Sequence, residues 1–430
     1  MRYTYLAPAA VMAAFALPME CYATNGYQLI GIGAHQMGMG GAVTALPESA
    51  MTAVSNPAGA ARVGSRADFS MEGFMPSRSV DFTSMGGDSA DSSANMYGVP
   101  AIGWTAPTGD GSNLYFGGGM YGTSGMGVDY ASTQMAPGYY TNPSNPSTFV
   151  ADPINWDGYS NISFWQMAPV LAWNVNNRLS VGATLNIDYQ SASFKQRAVT
   201  NSGVVLQNFD LSRSASGFGY GVGLGVLYDV SNMVTVGFSY KSKQEFAPLE
   251  YQLGKGDITN NGVQLPAGTY TLNLDFPQQA AVGVAVHATP SVILAADLKW
   301  INWSSTMNKL AVTGPGGSVA MDPGWSDQTV YALGVEYKLN SRVNLRAGYN
   351  YAAAPFDNTQ VSHNLLLPAI AETHYTVGGD VALNNHWELA FHYMYVPEAT
   401  MRAPMNDPMM PGAKIALSER SAGMNIGYRF

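Results

Sequence analysis

Beyond residue 65 the chain repeats with a period of two, the side-chain repeat of a β-strand. Over residues 179–189 the odd positions are Leu179, Val181, Ala183, Leu185, Ile187 and Tyr189, while the even ones are Ser180, Gly182, Thr184, Asn186 and Asp188. Residues 343–351 repeat this, with Arg342, Asn344, Arg346 and Asn350 on the second face. Trp387, Leu389, Phe391, Tyr393 and Tyr395 make another apolar face, and Ala422, Met424, Ile426, Tyr428 and Phe430 close the chain on one more. Each segment is predicted to be a strand with one greasy and one wet side.

Sandwiches and barrels both alternate in this way, but two features separate them here. The segments run to about ten residues or more, the length of a strand crossing a bilayer at a tilt and longer than the usual five or six of a globular strand. Connections also alternate in length: short turns at 174–178, 229–233, 288–291, 339–342 and 383–386 lie between long loops at 128–158, 246–270, 307–326 and 399–413. Tight turns on one side and long loops on the other mark an outer-membrane barrel. About fourteen candidate strands follow residue 65, an even number that places both mature ends in the periplasm. In hydrocarbon each unpaired N–H or C=O costs several kcal/mol, so the first strand must pair with the last. The predicted fold class is therefore all-β, a transmembrane antiparallel barrel spanning 66–430.

Residues 24–65 lack the two-residue period, are rich in Gly and Ala, and hold a short helical candidate at 48–54. This stretch reads as a plug with short helices folded into the lumen, where small residues allow close backbone packing; a periplasmic cap is the other reading. Residues 1–23 form a secretory signal: Arg2, then a weakly polar run at 5–19 too short to cross a membrane as a helix and broken by Pro8 and Pro18, then Cys21-Tyr22-Ala23 as a small-x-small cleavage site. Cleavage after Ala23 would remove Cys21, the chain's single cysteine, so the mature protein has no disulfide.

Composition agrees with a barrel. Only 11% of residues are charged, against roughly 25% in soluble domains. The 47% that are hydrophobic are diluted among Ser, Thr, Asn, Gln and Gly. A net charge of −9 argues against a nucleic-acid partner.

Gly26, Tyr27, Gln28 and Leu29 near the mature start, Gly38, Gly40 and Gly41, and the triplet Asn56-Pro57-Ala58 followed by Gly59 resemble the FadL family of outer-membrane transporters for long-chain fatty acids and other hydrophobic compounds. The resemblance runs through the barrel to Phe430. It implies a fourteen-stranded barrel with an amino-terminal hatch, through which apolar molecules such as fatty acids or aromatic and aliphatic hydrocarbons pass without an energy source and leave through a gap in the wall at the third strand. It further implies that Gly26, Tyr27 and Gln28 lie near the bound ligand, that Asn56, Pro57 and Ala58 fasten the plug, and that the hatch moves on binding. A monomer in contact with membrane lipid and lipopolysaccharide is expected, with no cofactor.

Several residues are candidates for the passage itself. In the third strand Gly117, Gly118 and Gly119 weaken pairing, and Pro100 and Pro107 in the second each remove a ladder donor. Either the strands part there or the glycines relieve crowding in the lumen, as Gly219, Gly221, Gly223 and Gly225 do. Met126, Tyr130, Met135, Tyr139, Tyr140 and Phe149 in the following loop suit an apolar capture groove, or else pack the loop over the mouth. Lys195, Arg197, Arg213, Lys241 and Lys243 fall near the outer ends of strands five to seven, where they could meet fatty-acid carboxylates or lipopolysaccharide phosphates. Asp188, Asp297, Lys299, Glu336 and Arg346 fall on lumen-facing positions and read as wetted lining.

Rival functions are weaker. Gly117-x-Gly119-x-x-Gly122 matches a dinucleotide fingerprint by letter, but no helix can follow so Gly-rich a run and no βαβ unit surrounds it. Glu388 and His392 share an inward face but lie about 13 Å apart along a strand. No GxSxG or HExxH occurs, and the six histidines lack metal spacing, so no enzyme is expected. An aqueous porin has no use for a plug, and an adhesin would depend on its outer loops alone.

Overall fold

The computed structural model describes residues 25–430 except 142–144, 146, 147 and 261, and leaves aside the side chains of 140, 141 and 260. The predicted signal lies outside the described residues. Fourteen strands form the wall: β1 Arg66–Asp81, β2 Tyr97–Pro107, β3 Leu114–Ala136, β4 in two pieces Ile154–Met167 and Val170–Asn174, β5 Leu179–Thr200, β6 Val205–Asp229, β7 Val234–Lys241, β8 Gln279–Thr289, β9 Val292–Ile301, β10 Gln328–Lys338, β11 Val343–Ala352, β12 Thr373–Ala382, β13 Trp387–Arg402 and β14 Lys414–Arg429. Neighbours pair antiparallel throughout, and β1 pairs with β14 without interruption from Arg66–Arg429 to Asp81–Lys414. The wall thus closes on itself, first strand to last, as hydrocarbon requires.

Side-chain alternation sets the two faces. Leu185, Leu294, Leu333, Phe391 and Met424 are exposed on the outside, while Asp188, Asp297, Glu336 and Asn425 are buried inside. No described helix is long and apolar enough to span a membrane; the strands do the crossing.

Three of the short turns share one local cause. In each, an Asn side chain accepts two backbone N–H groups further on: Asn176 from Arg178 (2.8 Å) and Leu179 (2.9 Å), Asn340 from Arg342 (2.8 Å) and Val343 (3.1 Å), Asn384 from His386 (2.8 Å) and Trp387 (2.9 Å). This is the Asx turn, and it reverses the chain without bulk. At the other end of the barrel the loops are long, and two of them contribute Leu249–Leu253, Gly268–Leu272, Ala311–Gly314 and Gly317–Ala320 to a separate four-stranded sheet.

The amino-terminal segment lies inside the barrel. It contains helices α1 (Gly33–Gly38) and α2 (Thr52–Ser55) and a 3-10 turn (Pro57–Ala61). Helix was expected over 48–54; only its second half is helical, because Pro47 and a turn at Ser49–Thr52 take up the first. Wall glycines let the segment approach. A Cβ at Gly348 would stand 2.2 Å from the Gly40 nitrogen, and one at Gly225 would stand 2.1 Å from the Asn56 side-chain oxygen.

Candidate functional site

Lumen-facing polar side chains fasten the amino-terminal segment. Asp297 on β9 accepts N–H from Val43 (2.9 Å) and Thr44 (2.8 Å), Asp68 on β1 accepts from Ala50 (2.7 Å), and Asn350 donates to the Gly40 carbonyl (2.9 Å). Two ion clusters add to this. Arg346 reaches Glu48 (3.1 Å), Glu336 (2.7 Å) and Asp380 (2.6 Å), and Glu388 reaches His35 (2.8 Å) and Arg66 (3.2 Å). Asp297, Glu336 and Arg346, expected as wetted lining, are thus bonding partners of this segment or of its Glu48. Inward parity is legible in sequence, but what fills the lumen opposite is not. Glu388 and His392 do face inward and serve different neighbours, His392 lying 3.7 Å from Glu72.

The Asn56-Pro57-Ala58 triplet is fully buried. Asn56 donates to the carbonyls of Thr44 (2.7 Å) and Val226 on β6 (3.1 Å), and its oxygen accepts from the Ala58 N–H (3.2 Å), capping the 3-10 turn. Pro57 pre-sets the first turn residue and holds Asn56 extended.

Above the segment sits a nest of rings. Tyr27 packs against Trp303 (centroids 4.6 Å), Phe276 (5.6 Å) and Trp325 (5.9 Å), and Phe276 stacks on Phe164 (4.4 Å). Gly26 is needed where it stands: its φ is +70°, and a Cβ there would meet the Trp303 ring at 2.6 Å. Gln28 and Gln279 exchange amide hydrogen bonds (3.1 and 2.6 Å). The sequence reading found Tyr27 but not Phe164, Phe276, Trp303 or Trp325. These come from a strand and three loop ends far apart in the chain, and the only signal was an aromatic close to the outer end of each.

The wall changes at β2 and β3. Their ladder runs from Pro107–Tyr115 to Ala101–Tyr121 and stops, although β2 stays paired with β1 as far as Tyr97. Above Tyr121, β3 turns toward the amino-terminal segment: Leu29 N–H donates to Thr123 (3.1 Å), Gly125 N–H donates to Tyr27 (2.8 Å), and Gln28 bridges Ser124. Contact with the chain preceding β2 resumes where Ser92 bridges Tyr130. Gly117, Gly118 and Gly119, expected at the break, are paired with Thr105, Trp104 and Gly103; the ladder stops just above them. On their other side, Gly118 and Gly119 face Ala168 and Pro169, where β4 is interrupted. Pro100 adjoins the break, and Pro107 lies at the opposite end of β2.

The expected capture loop is shorter than predicted, since β3 runs on to Ala136. Met126 and Tyr130 are therefore buried wall residues, Met135 is half-buried at the strand's end, and only Tyr139 and Phe149 stand exposed, on a short outer hairpin. The side chain of Tyr140 is outside the described residues. A groove of about 280 Å³ does open in the outer cap, lined by Phe209, Ile258, Met321, Leu366 and Met409.

The five cations do not form one rim. Lys195 pairs with Asp157 (3.1 Å), Lys243 with Asp275 (2.9 Å), and Lys241 points inward, donating to Gln166 (2.9 Å). Arg213 reaches the Gln252 carbonyl (3.4 Å) and, like Arg197, is exposed. Lys241, expected at the outer rim where strand seven ends, is the last residue of β7 and takes its inward face.

A closed lipid-facing barrel whose lumen is occupied by its own amino-terminal segment defines a class: an outer-membrane β-barrel. Residues 20–430 match the model of the outer membrane protein transport family (OMPP1/FadL/TodX), and the chain belongs to that family. Similar solved structures include the Pseudomonas putida toluene transporter TodX, with TM-score 0.73 and 21% identity over 94% of this chain and 99% of that one. The Ralstonia pickettii toluene transporter TbuX gives TM-score 0.69 and 18% identity over 94% and 99%, and a Pseudomonas aeruginosa FadL homologue gives 0.70 and 16% over 94% and 100%. Among curated proteins none matches.

Proposed function

We propose that this protein carries small apolar molecules, with one-ring aromatic hydrocarbons ahead of long-chain fatty acids, passively across the outer membrane. Solutes collect in the outer groove, settle among the rings around Tyr27, and leave sideways between β2 and β3. Residues 24–65 act as the hatch. An apolar solute dissolves in hydrocarbon but is held off by the hydrated saccharide layer, so a carrier needs a greasy collecting site and a lateral exit.

One observation carries this reading. Bonds from the Asp297, Asp68 and Asn350 side chains to the hatch backbone fasten it across the lumen, while β3 leaves β2 and bonds instead to Tyr27–Leu29 beside the rings. The straight path is filled, and the wall is interrupted next to the aromatic site. The preference for rings rests on Trp303, Trp325, Phe276 and Phe164, and on the toluene transporters among the similar structures. Exposed Arg197 and Arg213 suit the phosphates of lipopolysaccharide. The family is one of transport proteins, and we assign this chain no catalytic step.

The test is uptake of labelled toluene and labelled oleate by cells lacking the protein, restored with wild type or with Gly117, Gly118 and Gly119 all replaced by Val. Dependence on the protein, stronger for toluene, with loss in the triple variant, is expected. Uptake of both solutes that is independent of the protein would overturn the transport reading, and undiminished transport by the triple variant would overturn the exit.

A further inference from the structure

The ring nest does not end in apolar surface. Two residues below Phe164 on the same face of β4 is Gln166, whose cross-strand partner is Asp188. Lys241 spans the boundary, with its ammonium 5.9 Å from the Phe276 ring centroid and 2.9 Å from the Gln166 oxygen. Below lies a cavity of about 60 Å³ between hatch and wall, to which Gln28, Gln166, Asn186, Lys241, Gln279 and Lys299 contribute. Asn186 and Asp188 are fully buried, and among the described residues neither the amide nitrogen and oxygen of the one nor the two carboxylate oxygens of the other finds a hydrogen-bond partner.

A hydrocarbon offers nothing to these groups, and leaving buried polar atoms unpaired costs on the order of 1–3 kcal/mol each. We propose that the site takes a one-ring aromatic molecule bearing a hydroxyl group, a phenol, in preference to the plain hydrocarbon. This rests on the functional reading above. The ring lies among Phe164, Phe276 and Trp303, where Tyr27 now stands, and the hydroxyl enters the polar cavity. At the cavity's edge it accepts from the amide of Asn186, which lines the cavity, and donates to Asp188, the next buried residue on the same face of β5, a pairing that a hydroxyl satisfies because it is both donor and acceptor. A carboxylate substituent would meet the charge of Asp188, which Lys241 already offsets. The cavity size sets the same limit, since water occupies about 30 Å³ in the liquid and about 60 Å³ admits only a small substituent.

The experiment is tryptophan fluorescence of the purified full-length barrel in detergent, excited beyond the absorption of either solute and titrated with p-cresol or toluene; Trp303 and Trp325 report from the nest. Wild type is expected to bind p-cresol about tenfold more tightly than toluene, the weight of one hydrogen bond to a charged group. Asp188→Leu, which removes the charged acceptor, should bring the ratio near one while toluene binding persists, and that persistence also shows the nest intact. Asp188→Val replaces it if the Leu variant fails to assemble. Equal affinities in wild type, or a preference surviving in the variant, would overturn the proposal and leave the hydrocarbon reading standing, with water satisfying the polar groups. Failure of both solutes to quench would overturn the ring nest as a binding site and this inference with it.

Discussion

The side-chain amide of Asn56 donates to the carbonyl of Val226 at 3.1 Å, tying the amino-terminal segment to the wall near the end of β6, close to the short turn that follows Asp229. The same amide holds the Thr44 carbonyl, so one residue joins two stretches of the amino-terminal segment to the barrel. Asn56→Ala leaves the Thr44 and Val226 carbonyls and the Ala58 N–H without this partner, at about 1–3 kcal/mol for each buried group. Hydrogen exchange should speed up over residues 43–61 while the barrel strands keep their protection. Gly225→Ala, which intrudes on Asn56, should do the same, and the two changes together should add little more.

Gly26→Val should disturb the ring nest without touching the barrel. The new side chain has neither a permitted backbone conformation nor space beside Trp303. Tryptophan emission should shift, toluene affinity should fall by tenfold or more, and the thermal transition of the barrel should stay in place.

Much of this architecture is legible in the chain. Strand number, turn positions and the lipid-facing side follow from the two-residue period, because the bilayer imposes it on every crossing. The period fails in β3, where Tyr121 to Val128 are all buried, since that stretch parts from β2, stays paired with β4 and meets the amino-terminal segment; there the sequence reads as loop. The Asn56 triplet is local and stands out by itself. The ring nest and the ion clusters join residues hundreds of positions apart, and nothing in the spacing of Tyr27 and Trp303, or of Glu48 and Arg346, links them.

Docking of the hatch should depend on pH through Glu48. Burial pushes its carboxyl up to about 7, with Arg346 opposing and Glu336 adding to the rise. A carboxyl whose docked value lies above its free value of 4.5 favours docking below about 4.5, and that contribution is lost as pH rises to about 7. Hatch opening, followed as conductance in planar bilayers, should increase over that window and level off above it. Glu48→Gln should flatten the profile.

The central claim is lateral exit. A Cβ at Gly122 lies 2.8 Å from a Val99 methyl carbon, so Val99→Cys with Gly122→Cys places two thiols across the upper limit of the β2–β3 ladder. Cys21, the only native cysteine, lies in the predicted signal. The measurement is toluene uptake by cells carrying the double variant, oxidised and then reduced, with each single variant alongside. The account predicts loss of uptake when the bridge forms and recovery when it is reduced; uptake that continues unchanged with β2 and β3 covalently joined would contradict it.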